Sequence, residues 1–139
     1  MCCVMQAICH RDAIVLIHLP SAPMPPDATA FIDKWEPQLR KGVLEFIVLL
    51  CLRNDEYYGY ELIRTIEELT ALDISEGTIY PLLNRLKDEA LIAARWVEQD
   101  TGVPRKYYHL TDDGEVVLEA MEDHWTQLNS ALLKLMFVR

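Results

Sequence analysis

The sequence predicts a mainly α-helical chain with some β-structure: a small hairpin past its middle and one long helix at its end. Three observations carry that prediction. Apolar residues recur at helical spacing through most of residues 36–92 and again beyond residue 111. Between these blocks, residues 93–110 switch to short β-favouring runs around a Gly/Pro loop. The last block then repeats apolar residues at alternating spacings of three and four, the signature of a seam.

Composition bounds what such a chain does. At 139 residues it accommodates one domain with a modest core, plus appendages, and its 51% apolar share is ordinary for a globular protein. The net charge of −9 argues against a broad basic surface. The charge is uneven, however. Residues 75–110 hold five Lys/Arg and five Asp/Glu and are neutral, whereas residues 1–74 and 111–139 sum to −5 and −4. Cys2, Cys3, Cys9 and Cys51 form no disulfide framework, which fits a reduced, cytoplasmic setting. Residues 13–19 are apolar but too short for a signal core or a bilayer span, so no membrane partner is expected.

Residues 1–32 read as an appendage. Residues 13–19 suit a short strand or helix, and Pro20, Pro23, Pro25 and Pro26 then predict an extended linker. Cys2, Cys3, Cys9 and His10 are metal-ligand types, but their spacing matches no structural zinc motif, and no metal is expected. The domain proper is predicted over residues 33–110. Its first helix starts at Glu36 or Pro37, a favourable first-turn position for proline, and ends at Leu52. Leu39, Val43, Phe46, Ile47 and Leu50 share one face, while Leu44, Val48, Leu49 and Cys51 make the helix apolar nearly all round. Such a helix belongs in a core or a subunit interface.

A turn at residues 54–56 leads to a second helix beginning around residues 57–60, with Leu62, Ile63, Ile66 and Leu69 as its buried stripe. A tight connection through residues 72–74 opens the third, within residues 74–92. Ser75 or Thr78 supplies the cap, and Pro81 is expected close to the first turn. Leu82, Leu83, Leu86 and Ala90 are its predicted buried side, leaving Tyr80, Asn84, Arg85 and Lys87 for another face. Two short helices joined this closely match a helix-turn-helix. Residues 93–98 and 105–110 pair as strands around Gly102 and Pro104, with Arg105, Tyr107 and His109 alternating against Lys106, Tyr108 and Leu110. Thr111 caps the last helix, and Asp112, Asp113 and Glu115 suit its positive end. Leu118, Met121, Trp125, Leu128, Leu132 and Leu135 form its seam. One helix cannot bury such a seam alone. It is expected to meet the first helix and the last helix of a second subunit, with residues 111–139 as the dimerisation element. The architecture so predicted is a winged helix-turn-helix with a two-stranded wing and a long C-terminal helix.

Four blocks of this chain resemble the PadR family of transcriptional regulators. They are residues 39–52 followed by Tyr58-Gly59-Tyr60-Glu61-Leu62, residues 75–86 (SEGTIYPLLNRL), residues 105–114 (RKYYHLTDDG), and the amphipathic last helix. The single short C-terminal helix looks like the compact branch of that family. The resemblance implies a homodimer with last helices swapped across a two-fold axis. It also implies binding to a pseudo-palindromic operator in double-stranded DNA, usually as a repressor. Residues 1–32 lie outside it.

Candidate sites follow from both lines. Ser75, Thr78, Tyr80, Asn84, Arg85 and Lys87 are candidate DNA contacts on the recognition helix, and Thr101, Arg105 and Lys106 are candidate phosphate contacts on the wing. Thr78 serves alternatively as a cap alone and Tyr80 as packing alone. Arg85 alternatively pairs with Glu89 at i+4. Trp125, matching a position that lines an effector pocket in some relatives, and Met121 are candidate contacts for a planar, phenolic or drug-like effector. The competing role for Trp125 is to fill the dimer core. A winged helix used for protein contacts alone is the alternative function. No Gly-rich phosphate loop, nucleophile–base motif or metal-ligand spacing supports an enzyme, and no cofactor is expected.

Overall fold

The computed structural model describes residues 7–10, 13–16, 25–100 and 102–138. Two compact units divide the chain, Met1–Glu36 and Pro37–Arg139. In the first, strands β1 (Ala7–His10) and β2 (Ala13–Leu16) pair antiparallel, with Ala7 opposite Leu16. Helix α1 (Pro26–Leu52) also begins there. This moves the helix start ten residues before the expected Glu36 (36 against 26), and the stretch read as a linker ends in a helix-start device. Pro26 takes the first helical position, where a missing N–H costs nothing, and the Pro25 carbonyl accepts the N–H groups of Ala28 and Thr29 at 3.0 and 3.1 Å.

Pro37 consequently lies inside α1. It removes one ladder bond, to the Asp33 carbonyl, at a cost of about 3 kcal/mol. Further along the same helix Leu44, Val48, Leu49 and Leu52 are buried. At about 1.5–3 kcal/mol for each buried side chain, that anchoring outweighs the proline.

The second unit holds the remaining elements: β3 (Tyr57–Tyr58), α2 (Gly59–Thr70), α3 (Glu76–Asp88), β4 (Ile92–Val97), β5 (Arg105–Leu110) and α4 (Asp112–Phe137). The four α1 residues meet Leu62, Ile63 and Ile66 of α2 and Ile79, Leu83 and Leu86 of α3, with Ile74, Ile92, Tyr108 and Leu118 closing the core. Two predicted stripes are corrected here. Leu69 is 74% exposed: α2 ends one residue later, and Leu69 lies off the buried Leu62, Ile63 and Ile66 stripe. On α3 the buried stripe is Ile79, Leu83 and Leu86, with Leu82 half-buried.

Ala90 is exposed and lies past the helix. It adopts the left-handed conformation (φ 60°), and its N–H bonds to Lys87 O while the Leu91 N–H reaches Leu86 O, both at 3.0 Å. That is a Schellman stop, in which a glycine would be unstrained. Pro81 sits in the second turn of α3 rather than the first, leaving the Gly77 carbonyl without its ladder donor.

The wing is the β4–β5 hairpin, and the short strand β3 joins it in a three-stranded antiparallel sheet of order β3-β5-β4. Tyr57 and Tyr58, expected in the second helix, pair instead with Tyr108 and Tyr107 of β5. Across β4 and β5, Ile92 faces Leu110 and Val97 faces Arg105. Gly102 in the connecting loop has φ 125°, a conformation that side chains resist.

The last helix is fixed at its start. The Thr111 hydroxyl accepts the Gly114 N–H at 3.0 Å and donates to the Ala90 and Leu91 carbonyls at 2.7 and 3.0 Å. Arg53, just beyond α1, holds α4 from the side with a two-pronged contact to Glu122 (2.9 and 2.6 Å) and one to Glu115 (3.1 Å). Among the described residues no helix is long and apolar enough to cross a membrane.

Candidate nucleic-acid interface

The exposed side of α3 consists of two neighbouring stripes. Tyr80, Asn84 and Lys87 lie at i, i+4 and i+7 on one, and Thr78, Pro81 and Arg85 on the other; all six are exposed. Ser75 is the N-cap residue, but its hydroxyl meets the Thr78 hydroxyl at 3.0 Å and caps no backbone N–H. Neither candidate capping side chain therefore consumes a backbone donor, and both hydroxyls stand at the positive end of the helix dipole.

Tyr80 has a packing role as well as an exposed edge. A Cβ placed on Gly59 would fall 2.5 Å from its Cε1, so the glycine at the start of α2 is the seat of the Tyr80 ring. Arg85 does not pair with Glu89. Its Nη2 donates to Glu45 Oε2 of α1 at 2.6 Å, a partner that helix periodicity had no means of indicating. The same flank faces a cleft of about 590 Å³, half of whose lining residues are apolar, Leu44, Ile74 and Leu82 among them; its polar lining includes Arg40, Lys41 and Glu45 of α1 and Thr78 and Arg85 of α3.

On the wing, the strand alternation separates the expected cationic pair. Lys106 lies on the side of buried Tyr108, its Nζ 5.4 Å from that ring, directly across from exposed Trp96. Arg105 lies on the other side, its guanidinium 4.5 Å from the Tyr58 ring. Tyr58 also meets Tyr107 edge-on at 5.8 Å. Arg95 pairs with Glu56, and hydrogen bonding from that guanidinium holds the Glu56 carboxyl below its usual range. Burial pushes the Tyr108 phenol up. Thr101, the third wing candidate, lies outside the described residues, as do Cys2, Cys3 and the side chains of Cys9 and His10. No cluster of metal-ligating side chains occurs among the described residues. Cys51 is half-buried on α1, and burial pushes its thiol up, away from the reactive thiolate.

Behind the helix-turn-helix, α1 and α4 border an apolar groove of about 670 Å³. Leu39, Val43 and Phe46 form one wall, and Met121, Trp125 and Leu128 the other. The Phe46 and Trp125 rings meet at 5.9 Å, tilted by 44°. The candidate effector residues Met121 and Trp125 are thus brought together in a groove. The sequence placed Phe46 and Leu39 on a shared face without indicating that the face opens here. Leu118 departs from its assignment to the subunit seam: it is fully buried in this chain's own core, because α4 starts against the α3–β4 connection. From Asp123 to Val138 every residue is exposed, including Leu128, Leu132 and Leu135.

The model of the transcriptional regulator PadR-like family matches residues 48–120. A solved PadR family transcriptional regulator from Eggerthella lenta superposes with a TM-score of 0.73 at 32% identity, covering 83% of this chain and 100% of that one. The negative transcriptional regulator PadR of Bacillus subtilis is 37% identical over 75 residues, 52% of this chain and 41% of that protein. The transcriptional activator GvpE of Haloferax mediterranei is 33% identical over 110 residues, 72% of this chain and 54% of that protein. The chain therefore spans about half, or less, of the length of these two curated relatives. They are regulators of transcription rather than enzymes. With helix-turn-helix, wing and final helix in place, and the family model matching more than half of its residues, the chain belongs to the PadR-like family of transcriptional regulators.

Proposed function

We propose that the protein is a homodimeric DNA-binding repressor, released from its operator by a small planar or phenolic molecule. In this reading Tyr80, Asn84 and Lys87 enter the major groove, where an Asn side chain suits an adenine edge. Ser75 and Thr78 at the start of α3, and Thr101, Arg105 and Lys106 on the wing, take backbone phosphates. Two copies, joined through Met121, Trp125, Leu128, Leu132 and Leu135, read the halves of a pseudo-palindromic site. The repressing sign follows the name of the Bacillus subtilis relative.

The observation that carries the effector half is the groove of about 670 Å³ between α1 and α4, walled by Trp125 and Phe46. An apolar cleft with a flat aromatic wall suits a planar ligand. The test has two stages. DNA from the chain's own upstream region is bound against scrambled competitor at fixed salt, and specific retention is expected. A panel of planar aromatic compounds then quenches tryptophan emission and releases the DNA. Quenching left unchanged by Trp125→Phe removes the groove from the reading, since Trp35 and Trp96 also emit. Failure to retain specific DNA favours a winged helix used for protein contacts, which the −9 charge would suit. Raised rather than lowered reporter expression would reverse the sign.

A further inference from the structure

We propose that the cleft between α1 and α3 is a DNA-phosphate site in its own right, and that Glu45 occupies it as a built-in competitor for Arg85. The inference rests on the DNA-binding reading above and adds a second line of backbone contact, on the side of α3 marked by Thr78 and Arg85.

Charge is the first ground. The cleft gathers Arg40 and Lys41 from α1 and Arg85 from α3 around about 590 Å³, in a chain of net charge −9. The anions on its walls are Glu45 and Asp73. Thr78 adds a hydroxyl at the positive end of the α3 dipole.

Shape is the second ground. A helix with its side chains is about 10–12 Å across and the major groove is about 12 Å wide, so a helix lying in the groove brings its flanks against the phosphate ridges. With the Tyr80–Asn84–Lys87 stripe turned to the bases, the Thr78–Arg85 stripe becomes such a flank. The cleft opens along it.

The third ground is the Glu45 carboxylate. It holds Arg85 Nη2 at 2.6 Å, in the way a phosphate oxygen would. Arg85 is still 53% exposed on its side chain and Glu45 31%, so the pair is open to exchange rather than sealed. A phosphate that enters the cleft takes the guanidinium from Glu45 and leaves the carboxylate to water. Affinity for DNA is therefore lower than the cation set alone would give.

Phosphate contacts carry no sequence information, so the experiment uses a random-sequence duplex and measures affinity between about 50 and 200 mM salt. Lys41→Ala is expected to weaken binding and make the slope of log affinity against log salt shallower by about 0.9, one phosphate contact. Glu45→Gln is expected to tighten binding several-fold, a gain that misfolding does not produce. An unchanged slope in Lys41→Ala overturns the site. A Glu45→Gln protein that binds no tighter overturns the competition. Absence of binding by the unmodified protein overturns the DNA-binding reading itself, and is seen before any variant is made.

Discussion

Gly114 has no room for a side chain. A Cβ there would sit 2.0 Å from the Leu91 carbonyl oxygen and 2.8 Å from Leu110 Cδ1, and the first of these is backbone that cannot swing away. Gly114→Ala is therefore expected to cost about 2–3 kcal/mol, read as a lower urea midpoint at unchanged slope. The reverse change suits Ala90. Its φ of 60° strains a Cβ, and Ala90→Gly should raise stability by about 0.5–1 kcal/mol in the same assay, net of the greater freedom glycine has when unfolded. Loss of stability in that variant would mean the Schellman turn is not strained. The two sites differ in how far the sequence exposed them. Thr111 was legible as a cap, since a hydroxyl before Asp112 and Asp113 is a local signal. The reason for Gly114 was not, because the carbonyl it avoids belongs to another element.

Helix α1 works on three sides, two of them apolar, and that explains its apolar circumference. It presents Leu44, Val48, Leu49 and Leu52 to the core, Glu45 to α3, and Leu39, Val43 and Phe46 to the groove bordered by α4. The periodic pattern revealed the helix but not this division of faces. Pro37 also misled the placement of its start, since proline marks a first turn more often than an interior one. At its far end Arg53 ties α1 to α4, and hydrogen bonding from that guanidinium holds the Glu122 carboxyl below its usual range. A depressed carboxylate contributes stability that is present above its unfolded value, about 4.3, and is lost as pH falls through the lower folded value. Glu122→Gln should thus be less stable than the unmodified protein at pH 7, with the gap closing below about pH 4. Because the Glu122 side chain is 40% exposed, the gap is about 1 kcal/mol or less after solvent screening. A gap that stayed constant down to pH 2 would assign the effect to packing instead.

Across the whole molecule, the order of helix-turn-helix, wing and last helix could be read directly, because each element has its own period and punctuation. What covers an apolar face could not, because periodicity says that a residue turns from water and not what it turns toward. Leu118 shows the difference, sealed in this chain's core while Leu128, 53% exposed, and Leu135, 76% exposed, continue the same seam into solvent. The last turns of α4 also expose Met136 and Phe137. A continuous exposed apolar face of this kind marks an interaction surface rather than one meant for water. If a second copy supplies the cover, folding and association are one equilibrium, and stability depends on protein concentration. Raising the concentration about 100-fold then adds about 2.7 kcal/mol per dimer, and the thermal midpoint should climb by several degrees. Leu132→Asp combined with Leu135→Asp should abolish that climb and lower the helical signal, while the core around Leu49, Ile66 and Leu83 still unfolds cooperatively. The same double variant should lose specific DNA retention, since one recognition helix then acts without its pair. A midpoint that ignores concentration in the unmodified protein would show that no second copy covers α4, and the paired reading of an operator would fall with it.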